Sequence, residues 1–358
     1  MRNFTSAKNN TPKSSLSKPL NFLGAIVLGL ALGTLYYFYD ELYGSNVKAP
    51  EQGGYIYIPT GSTKDDVIRH LASSGYIENM NTLRRAMNRL EYGRKVYPGR
   101  FKLVQGMSNK KVVRMLASNM QYPVDFMVPS VRTRERLAGT LAKQVEPDSM
   151  SIILAMTDET MARKYGFNTD SFFSMFVPNK YQVYWNISLN GLFDRMNKEW
   201  ENFWRNNGRD KKLKRSKLSR EQVVVLASIV CEETTKYDEM PTVAGVYINR
   251  LNKGIRLQAD PTVRYAMGDF SVHRILASQT KVPHNYNTYR IKGLPPGPIC
   301  TPDTRAIDAV LNYEQHDYLY FCARSDFSGY HAFAKTYEQH IRNAQEYQRT
   351  LNRMQIFR

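Results

Sequence analysis

The stretch SREQVVVLASIVCEETTKYDEMPTVAGVYINRLNKGIRLQAD, residues 219–260, decides how the rest of the chain is read. Ser219 followed three residues later by Gln222 is a capping box, so a helix starts near Arg220. Val223, Val224, Val225, Leu226, Ala227, Ile229 and Val230 make that helix apolar almost all round, the pattern of a core helix. It runs straight into Cys231, Glu232 and Glu233, so a buried helix ends in acid.

Helical spacing separates the two glutamates. Leu226, Ile229, Val230 and Glu233 share one face. Glu232 shares a more polar stripe with Val225, Ser228 and Ile229. With the first face turned inward, the Glu233 carboxyl lies against hydrocarbon, and desolvation raises its pKa. A glutamic acid that keeps its proton near neutral pH is equipped to act as a general acid. The same spacing also fits two solvated glutamates that merely end a helix, or that pair with Lys236 or Arg250.

Downstream residues form a series. ASIVCEET (227–234) is followed by PTVAGVYINRL (241–251), LQADPTVRYAMG (257–268), YNTY (286–289) and GLPPGPI (293–299). Order and spacing resemble the motif series of the YceG-like endolytic murein transglycosylases, with the likeness running from Pro59 to Leu351 and densest over Val223 to Pro302. In that family one glutamate of a motif ASIVExET is the catalytic acid/base. The motif's second glutamate falls on Glu233 and its first on Cys231, a departure that bears on a supporting group and not on the acid. The resemblance implies cleavage of the MurNAc–GlcNAc bond within peptidoglycan glycan strands, leaving a 1,6-anhydroMurNAc end and terminating nascent strand elongation. Peptidoglycan synthases are implied neighbours. The alternative set by Cys231 is an inactive, membrane-anchored protein that binds or scaffolds the wall.

The remaining site candidates follow from the same motifs. Pro241 suits the first turn of a helix and Gly254 its end, with Val243, Val246, Tyr247 and Arg250 on one face. Asn249 and Arg250 then stand near the turn that leads to Gln258. Asp260-Pro261 reads as an N-cap followed by the first helical residue, which gives Asp260 a structural role; by resemblance it also lies at the cleft. Gln258 has no such structural role and is the stronger ligand candidate. Resemblance adds Asn287, Tyr289 and the Pro295-Pro296 turn to the site lining. FVPNKYQVYWN (176–186) resembles the segment that lines the glycan cleft. Tyr181, Tyr184 and Trp185 there are suited to stacking on sugar faces and equally to a core.

Bulk composition sets limits. Fifty Lys and Arg against thirty-two Asp and Glu give a formal charge of +18. Such a balance favours an anionic partner: nucleic acid, anionic lipid or a carboxylate-bearing polymer. No nucleic-acid-binding signature accompanies it, and the peptide carboxylates of peptidoglycan fit the charge. The three cysteines, Cys231, Cys300 and Cys322, lack disulfide-framework or zinc spacing. One bridge, Cys300 to Cys322, is available outside the cytosol; otherwise all three are small packed residues. The six histidines show no metal-ligand spacing. There is no phosphate loop and no G-x-S-x-G elbow, so neither metal nor cofactor is implied.

In chain order, residues 1–19 are basic and polar and read as a disordered cytoplasmic tail. Residues 20–39, containing FLGAIVLGLALGTLYYFY, are long and apolar enough to cross a bilayer once. Positive charge before the run and Asp40-Glu41 after it place the N-terminus in the cytoplasm and the rest outside, at the inner membrane. A cleaved signal peptide is the rival reading. Residues 40–54 form a linker. Residues 55–122 read as a small α/β module that resembles the family's LysM-like subdomain, with strands at 55–58 and near 96–103 and helices capped at Ser62 and Ser108. Residues 123–358 form a mixed α+β catalytic domain. Within it a helix spans Ser151–Tyr165, Asn190 caps another, and the basic run Arg205–Arg220 reads as a solvated loop. A strand at 318–323 pairs with His331–Phe333, and Thr336 with Gln339 caps the last helix. The fold class is therefore α+β behind a transmembrane helix.

Overall fold

A computed structural model describes residues 17–355 apart from His273, with side chains from Phe22 onward. It divides into two compact units, Met1–Tyr122 and Pro123–Arg358. Of the expected tail, residues 1–16 lie outside the described residues.

The first unit begins with α1 (Ser17–Tyr43), and its Phe22–Tyr43 portion is long and apolar enough to cross a membrane. The helix extends four residues past the expected end because Glu41 is anchored. Its carboxyl is buried and meets Arg85 at 2.6 Å and Arg89 at 3.4 Å. Both arginines lie on α3 (Met80–Arg89). The expected linker is likewise packed in. Val47 is fully buried, and Asn46 Nδ2 donates to Asn109 Oδ1 at 2.6 Å. The strands β1 (Gly54–Ile58) and β2 (Gly99–Leu103) form an antiparallel pair with Ile56 opposite Phe101. Helix α2 (Lys64–Ser73) is capped by Thr63 with Asp66, one residue later than expected, and α4 (Asn109–Ala117) by Ser108. The alternating inner residues of the strands meet Val67, Leu71, Leu83, Val112 and Leu116 in one apolar core.

The second unit has a mixed α+β architecture. Strands β3 (Val124–Val128) and β4 (Asn179–Val183) pair antiparallel. Between them run α5 (Arg134–Ala142), α6 (Ser149–Thr157) and α7 (Glu159–Lys164). The single helix expected over 151–165 is broken at Asp158, whose extended backbone ends α6 and whose side chain caps α7. Next come α8 (Leu189–Arg205), capped by Ser188 rather than Asn190, and α9 (Arg209–Ser216). The basic run is thus a helix, not a loop. Buried Arg209 holds it down through a two-point pair with Asp308 at 2.7 and 2.8 Å.

At the centre is α10 (Arg220–Glu233), entered through the capping box of Ser219 and Gln222. Every residue from Val223 to Val230 is buried. Burying one Val, Leu or Ile side chain contributes about 1.5–3 kcal/mol, so α10 is the main apolar support of this unit. It packs on α11 (Met240–Asn252), α12 (Asp260–Met267) and α13 (Thr304–Leu311). An antiparallel hairpin of β5 (Tyr320–Ala323) and β6 (His331–Ala334) leads into α14 (Tyr337–Arg353), capped by Thr336. All three cysteines are free, so the Cys300–Cys322 bridge is absent. Cys300 instead lies against Cys231 and the Ser228 carbonyl.

Candidate active site

Glu233 stands on the last turn of α10, where the core helix emerges at a cavity of about 370 Å³. The cavity walls include Tyr247 and Arg250 from α11, Gln258 and Asp260 at the start of α12, Tyr289, and the β5–β6 hairpin with α14. Glu233 is therefore neither in open water nor sealed off. Its carboxyl accepts a 2.6 Å hydrogen bond from the Tyr247 hydroxyl. Burial pushes its pKa up to about 7, and the negative charge of Asp260 pushes the same way, whereas the Tyr247 hydrogen bond pulls it down. A position at a helix C-terminus, the negative end of the macrodipole, adds to the upward push. Glu232, one residue earlier, has a different partner. Arg132 grips it through Nε at 3.0 and 2.9 Å and through Nη2 at 2.9 Å, so neither Lys236 nor Arg250 pairs with these glutamates among the described residues.

The loops that complete the cavity are tied together by buried hydroxyls. Thr288 Oγ1 accepts from Ala259 N at 2.9 Å and Thr262 Oγ1 donates to the Ala259 carbonyl at 2.6 Å. Gln258 N donates to the Thr288 carbonyl at 3.2 Å. This ladder joins the LQADPT and YNTY segments and brings Tyr289 onto Asp260, its hydroxyl donating to Oδ1 at 2.6 Å. Asp260 is consequently not the N-cap expected from Asp-Pro. Ala259 occupies that position and the Asp260 side chain makes no cap, which leaves the carboxylate to the cavity. Ser228, the one polar residue in the buried run of α10, accepts from Ile299 N at 3.0 Å and so fixes the Pro-rich loop to the helix that carries Glu233. Gly297 in that loop has no room for a side chain: a Cβ there would collide with the backbone of Asp170.

Three expected site residues lie elsewhere. Asn249 spends its amide on the His316 and Tyr318 carbonyls at 2.7 and 3.1 Å, holding the segment before β5. Asn287 is fully buried, donates to the Thr280 and Val282 carbonyls and accepts from Tyr289 N, so it shapes the loop that presents Tyr289. Tyr181 is in the core, its hydroxyl donating to the Val177 carbonyl at 2.7 Å. The Pro295-Pro296 turn is absent from the cavity wall among the described residues. Gln258, Asp260 and Tyr289 do line it together with Glu233.

Tyr247, Tyr320, His331, Tyr337 and His340 also line the wall without having been expected there, and Arg250, expected only near the turn to Gln258, joins them. A tyrosine and an arginine on the apolar face of the PTVAGVYINRL helix were the available signal for Tyr247 and Arg250. The histidines come from the C-terminal hairpin and helix and carry no local signature. His331 is oriented by Glu239, whose carboxylate meets its Nδ1 at 2.8 Å and its backbone N at 2.6 Å.

A carboxyl that retains its proton, a second carboxylate in the same cavity and a wall of aromatic and hydroxyl groups make up the equipment of acid–base chemistry on a polar substrate. The chain belongs to the YceG-like family, whose model matches residues 56–346. It is 27% identical over 265 residues to the endolytic murein transglycosylase of Bacillus subtilis, covering 70% of this chain and 72% of that protein. It is 33% identical over 139 residues to the endolytic murein transglycosylase of Streptococcus pneumoniae serotype 2, an alignment that covers 38% of this chain and 25% of that protein. A crystal structure of a YceG-like protein from Listeria monocytogenes has the same fold, with a TM-score of 0.54 and 24% identity over 80% of this chain and 97% of that one.

Proposed function

We propose that this chain is an endolytic lytic transglycosylase of peptidoglycan with Glu233 as its acid and base. The observation that carries the reading is the Glu233 carboxyl, exposed to a cavity yet desolvated enough to hold its proton to about pH 7. Glu233 gives that proton to the glycosidic oxygen between MurNAc and GlcNAc, and the bond from the MurNAc anomeric carbon to that oxygen breaks. The 6-hydroxyl of the same MurNAc attacks the anomeric carbon and returns its proton to the Glu233 carboxylate. The product is a 1,6-anhydroMurNAc end. No water is consumed and one carboxyl suffices for both transfers. Asp260 adds negative potential that favours the positive charge developing on the sugar. Gln258, Tyr289 and the exposed ring of Tyr337 are suited to hold the glycan.

In the same reading the apolar helix anchors the chain in the inner membrane with its N-terminus in the cytoplasm. The first unit is then a LysM-like glycan contact, and strand cleavage near peptidoglycan synthases ends nascent elongation. The names of the relatives support the murein substrate. Cys231 is absent from the cavity wall among the described residues, so its departure from the motif leaves the acid in place. The test is digestion of purified wall with mass analysis of the soluble products. The wild-type chain should release fragments with anhydro ends, one water lighter than hydrolytic products, and Glu233→Gln should release none. Binding to insoluble wall without release by the wild-type chain would favour the inactive scaffold.

A further inference from the structure

The cavity holds a buried cation without a counter-ion. Arg250 is 8% exposed, on the inner face of α11. Its Nε donates to the Leu319 carbonyl at 2.6 Å and its Nη1 to the Leu257 carbonyl at 2.7 Å and, more weakly, to the Arg256 carbonyl at 3.3 Å and Gln258 Oε1 at 3.4 Å. These acceptors are neutral. No carboxylate pairs with the guanidinium among the described residues: Glu233 is held by Tyr247, and Asp260 by Tyr289. Nη2 makes no hydrogen bond to a described residue, and Arg250 forms part of the cavity wall. A guanidinium has five N–H donors in a planar fork and cannot shed its charge. Removing such a charge from water is costly unless an anion compensates it. Carbonyl oxygens lock the fork from behind, so its free edge is pre-oriented and little side-chain entropy is lost when a ligand arrives.

We propose that Arg250 forms a carboxylate subsite of this cavity, reading an acidic group carried by the muramic acid residue. The inference rests on the glycan-cleaving reading above and sharpens its substrate class. Two sources offer that chemistry: the lactyl carboxylate of strands that have lost their peptides, and a carboxylate of the peptide attached to the same lactyl group. A charged partner makes hydrogen bonds roughly twice as strong as neutral ones, so converting the acid to an amide should weaken binding clearly.

The test measures binding by the full chain carrying Glu233→Gln, which removes turnover from the measurement. Four probes are compared: peptide-free glycan strands with free lactyl carboxylates, the same strands with those groups converted to methylamides, peptide-bearing strands, and peptide-bearing strands with amidated peptide carboxylates. At least one acid form should bind about tenfold or more tightly than its amide, and the pair that differs identifies the source. Adding Arg250→Gln should bring the acid form down to the affinity of its amide, while Arg250→Lys, which keeps charge but loses the fork, should retain part of the difference. Equal affinities within both pairs overturn the subsite, and that comparison needs no substitution at Arg250. Anhydro product from the wild-type chain together with equal affinities would reject the subsite and leave the proposed reaction standing. Absence of any binding would reject the subsite, and absence of anhydro product from the wild-type chain as well would reject both.

Discussion

At Glu233 two opposing influences are resolved on one side chain. Burial and the Asp260 charge raise the carboxyl, and the Tyr247 hydroxyl lowers it. Removing the hydroxyl with Tyr247→Phe should therefore raise the pKa further. A rate that needs the protonated acid then holds to higher pH, with its alkaline limb moved up; a limb that stays or falls would contradict this arrangement. Linkage gives a second expectation. The carboxyl rises from an ordinary 4.5 to about 7. Below the lower value both folded and unfolded chains hold the proton. Between the two, the unfolded chain releases it and the folded chain keeps it, so stability falls as pH rises through this window and levels off above it. Glu233→Gln removes that penalty, and the variant should exceed the wild type by about 3 kcal/mol on the alkaline side and by much less on the acid side. Denaturant melts at the two extremes read this directly. Asn249, Asn287 and Tyr181 show why polar site residues are hard to assign from sequence: an amide or hydroxyl in a loop motif serves a backbone carbonyl as readily as a ligand, and spacing does not distinguish the two.

Among elements, α10 was the most legible. Its capping box, apolar run and acidic end are local signals, and the structure has them at Ser219, Val223 to Val230 and Glu233. Ser219→Ala should remove one cap and cost about 1 kcal/mol. For a unit of this size that lowers Tm by about 2–4 °C, measurable by calorimetry, with the pH dependence of activity unchanged. Boundaries set by tertiary contacts were less legible. The break at Asp158 and the helix over Arg209–Ser216 depend on a side-chain cap and on a pair with Asp308, ninety-nine residues distant. The cavity wall has the same character. Its β5–β6 hairpin and α14 were readable as a strand pair and a capped helix, but their meeting with Glu233 is a long-range fact that no window of sequence contains.

For the whole molecule, the apolar helix long enough to cross a membrane follows from composition and length, whereas the way the chain leaves that helix does not. Glu41 and Asn46 are part of the first unit's interior, through Arg85 and Asn109. A chain starting at residue 45 lacks Glu41 and leaves Arg85 without that partner and Asn109 Nδ2 without the Glu41 carbonyl it contacts at 2.8 Å. Compared with a chain starting at residue 40, it should be less stable in the first unit, seen as earlier loss of hydrogen-exchange protection there.

The proposed chemistry turns on the proton of Glu233. Infrared difference spectra between the wild-type chain and Glu233→Gln isolate the carboxylic acid C=O stretch of this one residue, and following its intensity against pH titrates the group in place. With Glu233 as the acid, the band should persist into the neutral range and vanish with a midpoint near 7. A midpoint near the ordinary 4.5 would contradict that role, because the cavity would then hold a carboxylate with no proton to give.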